Sequence, residues 1–134
     1  MVTSGPPTAQ RELPLTPDER EALYSLIISL RQRYGDDLQR VVLFGSKARG
    51  DSDPESDLDV LVVLKGNADW GRRCEITDLT THLLLKTGIN ISALVRDQAT
   101  YQWWTAHHAP IYNSIQRDGV DLWTKRSEPS SRSA

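Results

Sequence analysis

The sequence predicts an α/β (α+β) fold in which helices flank a small mixed β-sheet. Two strands are predicted at 40–44 and 58–65, around the apolar runs 41–44 and 60–64, and the linker between them is too short for a parallel crossover. These two strands should therefore be antiparallel. A third apolar run, 89–95, follows a long helical pattern, so we expect it to lie parallel to the second strand through a right-handed crossover.

The first helix is clearly marked by its capping residues. Thr16 is the expected N-cap, Pro17 suits the first helical position, and Glu19 completes a capping box. Apolar residues then recur on one helical face as far as Leu30, and Gly35 follows as the C-terminal stop. We interpret this helix as part of the scaffold.

A second long helix is predicted from about Asp69 to Thr87, after a turn at Gly66-Asn67 and before a stop at Gly88. Its expected apolar face comprises Trp70, Ile76, Leu79, Leu83 and Leu84. After the third strand, helical patterns over 98–107 and 111–117 and a final segment over 120–123 complete the domain.

Length and composition indicate one globular domain. The 134 residues are 38% hydrophobic and 25% charged with a net charge of −2, so the chain lacks the basic surface expected for direct nucleic-acid binding. No apolar run is long enough to span a bilayer. We expect a flexible arm over 1–15, a folded domain over 16–125, a disordered tail over 126–134 and a cytoplasmic location.

The candidate functional residues lie at the two ends of the segment between the first two strands. Gly45-Ser46 ends the first strand, and Asp57 and Asp59 begin the second. Residues two apart in a strand project from one face, so the two carboxylates point the same way and favour a hard divalent cation such as Mg²⁺. A Gly-Ser turn at a helix start offers N–H groups and a hydroxyl to phosphate. Together these features indicate phosphoryl or nucleotidyl transfer.

The spacing of ten residues between Gly45-Ser46 and Asp57-Leu58-Asp59 resembles the signature of the minimal nucleotidyltransferases of the DNA polymerase β superfamily. Arg49-Gly50 and the order of elements over about 20–122 agree with it. The resemblance implies a nucleotidyltransferase fold and ATP as substrate. It implies that Asp57 and Asp59 are catalytic and hold a two-ion Mg²⁺ site, and that Gly45, Ser46 and Arg49 bind the nucleotide.

The same resemblance implies a partner. Many small bacterial members of this family are antitoxins beside a helical HEPN ribonuclease, and some transfer AMP from ATP to a tyrosine of that toxin. The chain is therefore expected to be an adenylyltransferase that AMPylates a HEPN toxin within a hetero-oligomer. Two alternatives stay open, namely an antitoxin that neutralises the toxin by binding alone and, less favoured, a nucleotidyltransferase for an aminoglycoside-like small molecule. Enzymes of that last kind usually carry a further helical domain.

The third strand departs from the family pattern. Active members of the superfamily place a third carboxylate on this strand, whereas the segment 89–95 contains no acid. Asn90 and Ser92 share its polar face, so one of them should occupy the third-ligand position. Asp97 lies just beyond and is interpreted as the N-cap of the next helix rather than as a ligand. Whether activity is retained without that carboxylate is the open question.

Two pairs of conspicuous residues follow the third strand. His107 and His108 are adjacent and therefore diverge on a helix, so we interpret them as structural residues rather than metal ligands. Trp103 and Trp104 cannot both face one core, and we expect one of them at the surface, where it would suit a partner interface.

Overall fold

The computed structural model describes residues 15–45, 48 and 57–125, which form helices on both faces of a mixed sheet. The elements are α1 (Pro17–Tyr34), β1 (Leu38–Phe44), β2 (Leu58–Leu64), α2 (Trp70–Thr87), β3 (Ile91–Asp97), α3 (Gln98–His107), α4 (Pro110–Asp118) and β4 (Val120–Thr124), with a 3-10 turn (Gly35–Asp37) before β1. The predicted arm and tail lie outside the described residues, except for Leu15, which packs into the core.

The sheet confirms the predicted strand directions and adds a strand at its edge. Its order is β3-β2-β1-β4. β1 and β2 are antiparallel with Phe44 opposite Asp59, and β2 and β3 are parallel with Asp59 beside Ser92. The segment that was expected only to close the domain is β4, which pairs antiparallel with β1 and places Val120 opposite Leu43.

Helix α1 has the predicted capping box. The Glu19 amide donates to Thr16 Oγ1 at 3.1 Å, and the Thr16 amide donates to Glu19 Oε1 at 2.9 Å. Two of the helix's first free N–H groups are thereby satisfied. The helix ends at Gly35, whose φ of +53° suits a residue without a β-carbon.

The apolar face predicted for α2 is partly wrong. Ile76 and Leu83 are buried and Leu79 packs against the core, but Trp70 is 79% exposed and Leu84 is 37% exposed. At about 100° per residue, Trp70 lies about 120° around the helix from Ile76, which places it beyond the buried stripe. Leu84 stands at the edge of the same stripe for the same reason.

Two hydrophobic cores lie on opposite faces of the sheet. The larger core joins β2 residues such as Val60 and Val62 to α1 and α2. The smaller core contains Leu61 and Val63, which alternate with them, and receives side chains from α3 and α4. Asp59 shares its face with Leu61 and therefore lies on the side of the smaller core. Among the helices that the structure describes, none is long and apolar enough to cross a membrane.

Strand β3 begins and ends two residues later than predicted. The Ile89 amide donates a hydrogen bond to the Thr87 hydroxyl at 3.1 Å, so the first residues of the predicted strand belong to the turn that follows α2. At the other end of the strand, Asp97 is opposite Leu64 and caps α3, since its Oδ1 accepts from the Thr100 amide at 2.8 Å. This confirms the interpretation of Asp97 as an N-cap.

Helix α3 separates its aromatic residues as expected. Trp103 is 56% exposed, whereas Trp104 packs against the smaller core. The His107 ring stacks on Trp103 with 4.2 Å between ring centroids, and His108 adopts a left-handed conformation (φ +51°) at the helix end. His107 thus packs on a neighbouring aromatic ring, and His108 ends the helix, in agreement with structural roles.

A group of polar side chains connects α1, the 3-10 turn and α2 at the end of the sheet where β1 starts. The Tyr34 hydroxyl donates to Glu75 Oε1 at 2.7 Å, and Arg72 Nη2 lies 2.6 Å from Asp37 Oδ2. Arg72 also donates to the Lys65 carbonyl at 2.8 Å. We call Tyr34, Asp37, Arg72 and Glu75 the far-end cluster. Burial, followed by the hydrogen bond to Glu75, raises the pKa of Tyr34 above its ordinary value.

Candidate active site

The strand register brings those predicted site residues that the structure describes to one end of the sheet. β1 ends at Phe44 where β2 begins, and β3 begins beside them. Asp57 immediately precedes β2, and Asp59 is its second residue. Gly45 follows β1 directly, so the two aspartates and this glycine meet although twelve positions separate Gly45 from Asp57 in the sequence.

Gly45 is required at this junction for two reasons. Its φ is +80°, a conformation that strains any residue with a β-carbon. A β-carbon at this position would lie 2.5 Å from Asp59 Oδ2 and 3.3 Å from Asp59 Cγ. The space beside the Asp59 carboxylate therefore exists only because position 45 is a glycine.

The two aspartates form an electrostatically costly pair. Asp57 is exposed, whereas Asp59 is partly buried between β1 and β3. Burial raises the pKa of Asp59 above its ordinary value, and the nearby Asp57 carboxylate raises it further. A bound cation would oppose both effects, because it stabilises the ionised form of each carboxylate.

Asn90 and Ser92 lie next to different aspartates. Asn90 Nδ2 donates to Asp57 Oδ1 at 2.8 Å, and the Asn90 carbonyl accepts from the Leu58 amide at 3.0 Å. Ser92 is the β3 neighbour of Asp59 and is exposed. Both polar residues thus reach the site, but Asn90 presents a donor to the aspartate pair.

The site has the oxygen donors that a hard cation prefers. Asp57 and Asp59 would hold Mg²⁺, and the space kept open by Gly45 adjoins the Asp59 carboxylate. Within the described residues, no group of three or more His, Cys, Asp or Glu side chains could hold a metal ion. The two carboxylates leave the remaining positions around such a cation to oxygen atoms of water, or of phosphate when a nucleotide is bound.

Part of the predicted site cannot be placed. Ser46 and Arg49, both predicted to bind the nucleotide, lie outside the described residues. The roles of Gly45, Asp57, Asp59, Asn90 and Ser92 stay predictions, although their positions agree with a shared site. Asp97 does not belong to it, because Asp97 stands at the opposite end of β3, beside Leu64.

Sequence reasoning missed the hydrogen bond from Asn90 to Asp57. The alternation of polar residues on the third strand had suggested that Asn90 faces the aspartates. It could not show which aspartate Asn90 approaches, because that depends on the register between β2 and β3.

This fold and this carboxylate pair define a protein of the nucleotidyl-transfer class. A family model described as "Nucleotidyltransferase domain" matches residues 23–104, which is more than half of the chain. The chain therefore belongs to the nucleotidyltransferase domain family. The matched range includes both aspartates and the whole of β1, β2 and β3.

Two curated relatives come from Methanocaldococcus jannaschii, and both are named "putative protein adenylyltransferase". The chain is 36% identical to the first over 93 residues, which cover 67% of this chain and 88% of that protein. It is 43% identical to the second over 60 residues, which cover 45% of this chain and 61% of that protein.

Solved structures share the fold. A "putative minimal nucleotidyltransferase" has a TM-score of 0.51 and 22% identity, with 85% of this chain and 99% of that chain covered. A "putative nucleotidyltransferase" from Sulfolobus solfataricus has a TM-score of 0.50 and 20% identity, covering 87% and 91%. A chain of the toxin–antitoxin complex MntA-HpeT has a TM-score of 0.50 and 22% identity, covering 77% and 73%. The resemblance to minimal nucleotidyltransferases is confirmed at the level of family and fold.

Proposed function

We propose that this chain transfers AMP from Mg-ATP to a hydroxyl group of a partner protein, a tyrosine of a HEPN-type toxin, and thereby acts as an antitoxin. Membership of the nucleotidyltransferase family supports the reaction class. The name of the M. jannaschii relative supports a protein substrate. The fold shared with a chain of a toxin–antitoxin complex supports the kind of partner. The cytoplasmic location belongs to the same proposal.

The observation that carries the proposal is the fit between Gly45 and the aspartate pair. The glycine leaves open the space beside Asp59 that any other residue would fill. Asp57 and Asp59 then present oxygen ligands from one strand face to that space. A purely structural strand end has no physical need for two neighbouring carboxylates, one of them partly buried.

In the proposed reaction, the acceptor hydroxyl oxygen attacks the α-phosphorus of ATP. The bond from that phosphorus to the oxygen bridging to the β-phosphate breaks, pyrophosphate leaves, and the hydroxyl proton passes to solvent. Mg²⁺, when bound, supplies charge neutralisation at the attacking and leaving oxygens. Asp57 and Asp59 would hold the metal ion, and Gly45 leaves room for the nucleotide to approach the Asp59 carboxylate. Ser46 and Arg49 are assigned to phosphate binding by the sequence signature.

A second candidate function is neutralisation by binding alone. One observation favours it, because the β3 residue beside Asp59 is Ser92 rather than an acid. Fewer ligand charges weaken the orientation and activation of an attacking hydroxyl. We favour the enzyme because the glycine and both aspartates are present together.

Co-expression with a HEPN-type partner tests the proposal. The chain and the partner are purified together, and the intact mass of the partner is measured. We expect additions of one AMP moiety with the parent chain and none with Asp59→Asn. A stable complex whose partner is neutralised without any AMP addition would instead establish the binding function.

A further inference from the structure

We propose that Asn90 is a positioning residue that fixes the Asp57 carboxylate for metal binding, and that Ser92, not Asn90, occupies the position beside the metal. The inference rests on the proposed function, because it concerns the metal site of the same reaction. Asn90, which immediately precedes β3, and Ser92, the second residue of β3, thus have distinct roles.

The polarity of the contact between Asn90 and Asp57 identifies the donor. An ionised carboxylate has only acceptor atoms, so the amide group must face it with its nitrogen. Nδ2 of Asn90 lies 2.8 Å from Asp57 Oδ1, a distance typical of a charge-assisted hydrogen bond. With its nitrogen directed at Asp57, the amide does not offer its oxygen to a cation held there.

The backbone gives Asn90 a defined position. Its carbonyl oxygen accepts from the amide of Leu58, the residue between the two aspartates, at 3.0 Å. Asn90 is therefore joined to the 57–59 segment by its main chain and its side chain together. Such two-point attachment suits a residue that restricts the rotation of Asp57, which is otherwise exposed.

The hydrogen bond leaves the second oxygen of Asp57 for a cation. Groups that hydrogen-bond to metal ligands orient them, and their removal typically weakens metal affinity about 10- to 100-fold. Ser92, in contrast, is the direct β3 neighbour of Asp59 and projects from the same sheet face.

Mn²⁺ binding by the nucleotide-free protein tests this role without any transfer reaction. Electron paramagnetic resonance measures the free Mn²⁺ in a titration, with Mn²⁺ as the probe for Mg²⁺. We expect Asn90→Ala to weaken Mn²⁺ affinity about tenfold. The matched control is Asn113→Ala, because Asn113 is also exposed and its Nδ2 donates to the His108 carbonyl at 3.2 Å, away from the site. It should bind Mn²⁺ like the parent.

A reciprocal exchange of side chains tests the hydrogen bond itself. In metal-free buffer, Asn90→Asp should lower the melting temperature, because it places a second negative charge against Asp57. The double variant Asn90→Asp with Asp57→Asn restores a donor–acceptor pair of reversed polarity and should recover the melting temperature. The Mn²⁺ affinity of the double variant should be lower than that of the parent, because the carboxylate has moved from position 57 to position 90.

Each result has a separate meaning. Parent-like Mn²⁺ binding by Asn90→Ala, or parent-like Mn²⁺ affinity in the double variant, would overturn the positioning role. A double variant no more stable than Asn90→Asp would show that the hydrogen bond does not couple the two residues, which also overturns it. A parent protein that binds no Mn²⁺ would overturn the proposed metal site, while the melting temperatures would still report on the hydrogen bond.

Discussion

The two ends of the central sheet use charged side chains in opposite ways. In the far-end cluster, the arginine lies 2.6 Å from one carboxylate and the tyrosine donates to the other at 2.7 Å. At the candidate active site, Asp57 and Asp59 stand together. Among the described residues, the side-chain hydrogen bond to this pair comes from the neutral amide of Asn90, which donates to Asp57.

This difference separates a structural role from a binding role. Charged side chains that pair with one another stabilise the contacts between neighbouring helices and turns, and they require no bound ligand. Two adjacent carboxylates with a raised pKa at Asp59 reduce stability, and a cation relieves that cost. Substitutions of the paired far-end side chains should therefore change stability and spare nucleotide binding, whereas neutralising either active-site aspartate should weaken nucleotide binding without loss of stability.

The largest effect is expected when either aspartate loses its charge. Asp57→Asn and Asp59→Asn should lower the rate of AMP transfer at least about a hundredfold, because a bound metal contributes several kcal/mol and 1.4 kcal/mol is a factor of ten. The metal-free melting temperature should stay level or rise, since repulsion is removed. Quenched-flow assays measure the transfer rate, and differential scanning calorimetry measures the melting temperature. A variant that transfers AMP like the parent would contradict the site.

A pair of glycine substitutions compares the two ends directly. Gly45 and Gly35 both have positive φ, +80° and +53°, so backbone strain should cost each of the variants Gly45→Ala and Gly35→Ala about 1–3 kcal/mol of stability. A β-carbon at Gly35 meets no atom within 4 Å, whereas one at Gly45 displaces the Asp59 carboxylate. Mg-ATP affinity should therefore fall at least about tenfold in Gly45→Ala alone. Equal affinities in the two variants would contradict the close approach.

A smaller effect is expected from Tyr34→Phe at the far end. Removal of the hydrogen bond to the Glu75 carboxylate should cost about 1.5 kcal/mol, the low end for a hydrogen bond to a charged group, because the pair is partly exposed. Because the folded-state pKa of Tyr34 is raised, its contribution is complete below the ordinary tyrosine pKa and is lost as the pH rises above it. The parent should lose stability in urea melts above about pH 10, and Tyr34→Phe should lose less. Parallel pH profiles would contradict the role of this hydroxyl.

The smallest effect is expected at the N-cap of α3. Asp97→Ala should cost about 1 kcal/mol, and Asp97→Asn should retain most of the cap. Hydrogen bonds from Thr100 lower the pKa of Asp97, so the carboxylate contributes stability above its ordinary pKa and loses it as the pH falls through the lowered value. The acid side of the stability profile should flatten in the alanine variant. Reduced Mn²⁺ binding by Asp97→Ala would contradict its placement away from the site.

The sequence predicted those features that depend on local patterns or on chain connectivity. The capping box of α1 follows from residues three apart, and the directions of β1, β2 and β3 follow from the lengths of their connections. The approach of Gly45 to Asp59 follows from the same directions. These features could therefore be predicted without knowledge of side-chain packing.

The remaining features depend on tertiary contacts. The pairing of β4 with the free edge of β1 has no local signal, because a short apolar segment fits several positions. The exposure of Trp70 depends on where the core ends along α2. The contact between Asn90 and Asp57 depends on strand register, and the far-end cluster joins residues 35 to 41 positions apart.

The most direct test of the central claim is calorimetric titration of Mg-ATP into three proteins, namely the parent, Asp59→Asn and Tyr34→Phe. We predict that the parent and Tyr34→Phe bind Mg-ATP with the same affinity, and that Asp59→Asn binds at least about tenfold more weakly. We also predict that binding to the parent requires Mg²⁺. Parent-like affinity in Asp59→Asn would contradict the account, because the aspartate end of the sheet would then not be the nucleotide site.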